Sequence, residues 1–151
     1  MYLILAELLA YSYNAVDASG NIYIADTRNH VIRKVSSSSG NISRVAGIAE
    51  TSGYSGDGGL ATFAELSNPD GVAVDTFGHI YIADADNHVI RMVTINTGNI
   101  SIVAGIAKAS GYRGDGGLAT SATLSYPSGV ACDALGNIYI ADTNNHDNEG
   151  L

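Results

Sequence analysis

The stretch IYIADADNHVIRMV, residues 80–93, decides the fold. Its first five residues carry apolar side chains on both parities of an extended chain, Ile80 and Ile82 on one face, Tyr81 and Ala83 on the other. A strand that is apolar on both faces belongs to a sheet covered on both sides. Asp84, Asn87 and His88 then interrupt the run with turn-forming residues, and Val89, Ile90 and Val93 restart it with β-branched ones. Two short strands joined by a tight turn are expected.

Working outward, the stretch returns as IYIADTRNHVIRKV from Ile22 and, interrupted, as IYIADTNNH from Ile138. Asp17, Asp75 and Asp133 stand at a constant interval of 58 residues (75 − 17 and 133 − 75) without a gap. The same offset carries GYSGDGGLAT at Gly53 onto GYRGDGGLAT at Gly111. Roughly two-thirds of the positions in the two full periods are identical, the mark of a repeat protein. The chain divides into repeats 17–74 and 75–132 and a truncated third, 133–151, behind a divergent segment 1–16 with an incomplete first strand. Within the second period, strands are expected at 71–75, 80–84, 89–94 and 100–104. Gly78, like Gly20 and Gly136, is placed to supply the positive φ of the first hairpin. The expected fold class is all-β: consecutive four-stranded antiparallel blades, about two and a half of them, stacked as an open, partial β-propeller.

Residues 69–93, PDGVAVDTFGHIYIADADNHVIRMV, resemble the NHL repeat, and residues 53–69, GYSGDGGLATFAELSNP, resemble the linker of its long-period form. The resemblance runs from about Asp17 onward and implies a propeller. It leaves function open: members include ubiquitin ligases that bind RNA or protein, sensor domains of bacterial receptor kinases, cell-surface adhesion proteins and a peptide-amidating lyase. A closed ring of this kind has about six blades. Here Tyr11-Ser12-Tyr13-Asn14 stands where the repeat has Pro69-Asp70-Gly71-Val72, and the third copy ends in HDNEGL. The chain is therefore expected to be a fragment of a larger propeller, because bare blade faces and strand edges are disfavoured in a standalone domain. The alternative is a ring completed by several copies, self-associating through the open blade faces.

Composition narrows the partners. The 151 residues carry a net charge of −8, with Lys and Arg together numbering 7. A nucleic acid or an anionic membrane needs a positive surface, so neither is expected as partner, and the RNA binding of some relatives is disfavoured. The first ten residues are apolar, but they lack a basic leader and a cleavage site, and they are too short to cross a bilayer as a helix. One cysteine, Cys132, excludes an intrachain disulfide and a cysteine-based metal cluster; it reads as a small buried hydrophobe. The sequons at Asn41 and Asn99 occupy one repeat position, so repetition accounts for the pair.

Two recurring motifs carry polar chemistry. The first, Asp-x-x-Asn-His, occurs as Asp26/Asn29/His30, Asp84/Asn87/His88 and Asp142/Asn145/His146. Asp and His can ligate metals or move protons. A device repeated in every blade, however, is expected to be structural: Asp and Asn close the turn and His bridges to a neighbouring loop. The second motif places Asp57 and Asp115 among glycines after Tyr54 and Tyr112. No Walker lysine follows, and the acidic oxygens are too few for calcium. These aspartates are expected to accept backbone N–H groups, with LATFAEL and LATSATL forming a short helical turn beyond. Arg33 and Arg91 are expected to snorkel or to pair with a nearby Asp.

Both motifs fall in loops of one rim, the expected binding face, whose candidate residues are Arg28, Asn29, His30, Tyr54, Ser55, Asp57, Asp86, Asn87, His88, Tyr112, Arg113 and Asp115. Positions that differ between copies carry the functional expectation: Arg28 against Asp86 and Asn144, Ser55 against Arg113, Glu50 against Lys108. The expected function is a non-catalytic scaffold that offers these loops to a protein, peptide or glycan, extracellular or at a cell surface, with no cofactor. The alternative is a fragment of a lyase- or lactonase-type propeller enzyme with a metal in its central channel.

Overall fold

The computed structural model describes residues 14–148. The first blade comprises β1 (Asn14–Val16), β2 (Ile22–Asp26), β3 (Val31–Val35) and β4 (Ile42–Ala46) in that spatial order. The second comprises β5 (Pro69–Val74), β6 (Ile80–Asp84), β7 (Val89–Val93) and β8 (Ile100–Ala104), again in sequence order, and a third sheet pairs β9 (Pro127–Cys132) with β10 (Ile138–Asp142). Every pairing among them is antiparallel. The blade meander expected from the repeat is present, built as an open partial propeller.

Local chemistry fixes each hairpin. Asp75 Oδ1 accepts the N–H groups of Phe77 and His79 at 2.9 and 2.8 Å, while Oδ2 accepts the Tyr81 hydroxyl at 3.3 Å. Asp17 and Asp133 repeat the arrangement. Gly20, Gly78 and Gly136 take φ of 81°, 91° and 86°, where a side chain would be strained. The first strand of the second blade starts at Pro69, two residues earlier than expected. Proline is tolerated as a first strand residue, and a register shift between Pro69 and Gly71 accommodates Asp70. Thr94 belongs instead to the next turn, donating its N–H to the Asn99 carbonyl at 2.9 Å.

The core lies between blades. Ile80 and Ile82 pack with Val72, Val93 and Ile100 against Tyr23, Ile32 and Ala46 of the first blade, and Leu66 and Ala64 of the linker close that cluster. Ala83, Ile90 and Ala104 face the other way, toward Val130 and Ile140 of the third sheet. The two faces of IYIAD thus serve two interfaces, as its double-parity pattern requires. All five residues of β6 are buried, whereas Tyr139 in the identical sequence of β10 is 59% exposed. The linkers turn through short 3-10 segments at Ala61–Phe63 and Ala119–Ser121, where helical turns were expected.

Candidate functional site

The turns after β2, β6 and β10 meet the interblade linkers at one rim. Glu50 N–H donates to the Asn29 carbonyl at 3.0 Å and Lys108 N–H to that of Asn87 at 2.9 Å. Each Asp-x-x-Asn-His unit closes internally: the Asn29 amide donates to Asp26 at 2.8 Å, the Asn87 amide to Asp84 at 2.9 Å, and the Asn145 amide to Asp142. The histidines reach across blades. His30 Nδ1 accepts the N–H of Asn68, and His88 Nδ1 that of Tyr126, both at 3.1 Å. Both rings hang from left-handed backbone, φ 57°, at the end of a 3-10 turn. This is the bridging role expected of a repeated motif. The side chain of His146 lies outside the described residues.

The densest polar cluster centres on Arg91, which is 0% exposed. Its Nε and Nη2 donate to Asp57 Oδ1 at 3.2 and 2.7 Å, and Nη2 also donates to the Ser55 carbonyl at 2.8 Å. Nη1 donates to the Glu65 carbonyl at 2.8 Å and to Asp84 Oδ2 at 3.4 Å. The Tyr54 ring lies 5.0 Å from the guanidinium carbon, and its hydroxyl donates to Asp57. Asp84 further accepts the Ser67 N–H at 2.7 Å. A buried cation is tolerable only when its donors are matched in this way. Burial pushes the Asp84 carboxyl up to about 6, against the lowering effect of the Ser67, Asn87 and Arg91 contacts. The Tyr54 hydroxyl is driven up to about 12, first by burial and then by Asp57.

One expectation is met here and one changes. Arg91 pairs with aspartates, one of the two roles expected of it, and the linker folds over it and seals it in. Asp57 spends its oxygens on the guanidinium and the tyrosine hydroxyl rather than on backbone N–H groups, a charge-assisted bond being stronger than one to a neutral donor. Sequence reasoning also missed the Ser52–Ser67 and Ser110–Ser125 hydroxyl pairs, 2.8 and 2.9 Å, although their shared 58-residue offset was visible.

The twelve candidate residues divide by what they already hold. Asn87 is 3% exposed with its amide spent on Asp84 and the Gly53 carbonyl, so it offers no surface to a ligand. His30, His88 and Asp57 are engaged as described, and Tyr54 is half-buried. Asp86 accepts from Ser67 and Asn68. Arg28, Asn29, Ser55, Tyr112, Arg113 and Asp115 are exposed on the rim, with Glu50 and Lys108 beside them. Among the described residues no three His, Cys, Asp or Glu side chains converge as metal ligands would. Cys132 is half-buried, and burial first, then Asp75 and Asp133, raises its thiol to about 11.

Comparison with known proteins agrees with this geometry. Residues 49–113 match the family model of the teneurin NHL domain, and residues 124–146 that of the NHL repeat. The chain is 30% identical over 131 residues to NHL repeat-containing protein 2 of Bos taurus, covering 83% of this chain and 18% of that protein. To teneurin-1 of Homo sapiens it is 29% identical over 148 residues, covering 87% of this chain and 5% of that protein. A solved structure of a structural genomics protein of unknown function from Bacteroides thetaiotaomicron superimposes with a TM-score of 0.71 at 28% identity, covering 81% of this chain and 30% of that one. The chain spans less than a fifth of the length of these curated relatives.

Proposed function

From the premise that the chain belongs to the NHL-repeat family of β-propellers, we propose that it is a non-catalytic interaction scaffold whose loop rim receives a protein, peptide or glycan. The observation that carries this reading is the contrast between a constant frame and variable tips. The Asp–Asn turn closures and histidine bridges recur from blade to blade, while the exposed side chains standing on them change: Glu50 becomes Lys108 and Ser55 becomes Arg113. A frame of this kind holds loops in register so that their differences can be read, as a rigid scaffold does in recognition proteins. The acidic balance of the chain disfavours polyanions as partners, while the exposed rim tips carry both signs, Arg28, Lys108 and Arg113 beside Glu50 and Asp115.

Peptide and glycan arrays probed with the full chain test the proposal. A specific ligand should lose at least about tenfold in affinity, or ~1.4 kcal/mol, on Arg28→Ala, Lys108→Ala or Arg113→Ala, with thermal stability unchanged. A ligand indifferent to all three substitutions would place recognition away from the rim.

A further inference from the structure

Three of the four histidines accept a backbone N–H through Nδ1. His30 takes that of Asn68 and His88 that of Tyr126, each across a blade boundary, while His79 takes that of Ile95 within the second blade at 3.2 Å. A ring nitrogen accepts only while it carries no proton, so each bond requires the neutral imidazole with its hydrogen on Nε2. An imidazolium carries a donor on both nitrogens and would set one of them against the backbone N–H. The role itself does not call for a titrating group. In the first blade Asn21 stands 58 positions before His79, and its Oδ1 accepts the Ser37 N–H at 3.0 Å, the same bond made by an amide.

The two interblade bonds hold backbone that is left-handed at both ends. His30 and His88 lie at φ 57°, and the residues they receive, Asn68 and Tyr126, at 47° and 56°. That conformation is uncommon outside glycine and is a true outlier for a side chain as bulky as tyrosine. The histidine ends are fixed: Gly47 and Gly105 press so closely on the carbonyls of His30 and His88 that a β-carbon on either glycine would collide with them. When a bond breaks, the entry of the next blade is therefore the part free to move. Both rings are half-buried, within reach of solvent protons.

On the elements that meet His30 the ionisable groups are Asp26 and Arg28 in its own turn, Glu50 in the linker and Asp70 at the entry of β5, with Asp86 bound to the Asn68 amide. Around His88 they are Asp84 and Asp86 in its turn, Lys108 in the linker and the hydroxyl of Tyr126, whose ring stands edge-on to the imidazole at 6.3 Å. Asp26 and Asp84 are paired with Arg33 and Arg91. Charges of both signs thus surround each ring, and the bond to the backbone N–H is lost once the proton binds.

We propose that His30 and His88 form an acid-released latch between blades. Neutral, each holds the turn of one blade to the entry of the next; protonated, it lets go of Asn68 or Tyr126, the left-handed entry relaxes, and the two blades loosen at the rim. Histidine is the side chain that ordinarily changes charge between about pH 5 and 8, which sets the range of the latch. Its action is on the spacing of the rim loops, whatever ligand they receive.

Amide hydrogen exchange of the full chain, followed residue by residue by NMR and corrected for the intrinsic pH dependence of exchange, tests the latch. Between pH 7.5 and 5.0 the Asn68 and Tyr126 amides should each lose at least about tenfold in protection, as expected for a donor left without its acceptor. Asparagine tolerates left-handed backbone and does not titrate, and its Oδ1 stands where the imidazole has Nδ1, as Asn21 shows. In His88→Asn the Tyr126 amide should therefore keep its protection at pH 5.0 while Asn68, still on His30, loses it. His30→Asn should give the reverse pattern, and either variant alone suffices if the other fails to fold. Protection at Asn68 and Tyr126 that ignores pH in the parent chain, or that falls at Tyr126 equally in His88→Asn, would overturn the latch.

Discussion

Arg33 and Arg91 occupy the same repeat position in the same tripeptide, Val-Ile-Arg, yet their surroundings differ completely. The Arg33 side chain is 41% exposed and touches Asp26 through a single 3.3 Å contact, at the mouth of an open depression lined by Asn29, Arg44 and Glu50. Arg91 is sealed, with two carboxylates, two carbonyls and an aromatic ring around it. What separates them is the interblade linker, since residues 54–65 wrap the second arginine and no described residue does so for the first. The burial of a charge on a strand is thus decided by a loop whose contacts lie 26 to 36 positions earlier, and the linker in turn is held in shape by the charge it covers.

Removing the sealed cation is the hardest test of that difference. Arg91→Ala should cost about 3–5 kcal/mol, because it strands Asp84 in the core without its partner. Arg33→Ala should cost less than about 1 kcal/mol, as exposed ion pairs do. Urea denaturation of the two variants measures both, and comparable losses would erase the distinction. Asp57→Ala attacks the same cluster from the linker and should fall between them, about 1–3 kcal/mol, by leaving guanidinium donors unmatched.

A finer measurement uses pH. The folded Asp84 carboxyl sits at about 6, above its ordinary 3.8, so the native state holds that proton more tightly than the unfolded chain. Its ionisation costs stability in full above pH 6, and the cost disappears as pH falls below 3.8. Asp84→Asn removes this titration. The stability of the parent relative to Asp84→Asn should therefore rise from pH 7 to 4.5, and a flat difference would contradict the burial-driven shift.

Much of the fold was legible because repetition and turn chemistry are local. The double-parity IYIAD run announced two covered faces, and Ile82 and Ala83 do enter opposite interfaces. Gly78 announced a hairpin that needs positive φ. The recurrence of Asp-x-x-Asn-His argued for a device common to all blades, and His30 and His88 perform one. What stayed illegible was the fate of groups whose partners lie far along the chain. Nothing near Asp57 in sequence indicates that its carboxylate meets Arg91, 34 positions later. Nor does the identity of the three IYIAD copies reveal that one is wholly buried and another lies at a sheet edge, since neighbouring sheets determine that.

The imidazole bridges set the range of cooperativity along the stack. Each ties the turn of one blade to the entry of the next blade's first strand, 38 residues on, and to nothing farther away. Such a molecule behaves as a one-dimensional chain of nearest-neighbour couplings, in which a melted blade frees its immediate neighbour and leaves more distant ones to fail in turn. Unfolding should then travel as a front, entering at the least covered sheet and halting longest at the blade that encloses Arg91.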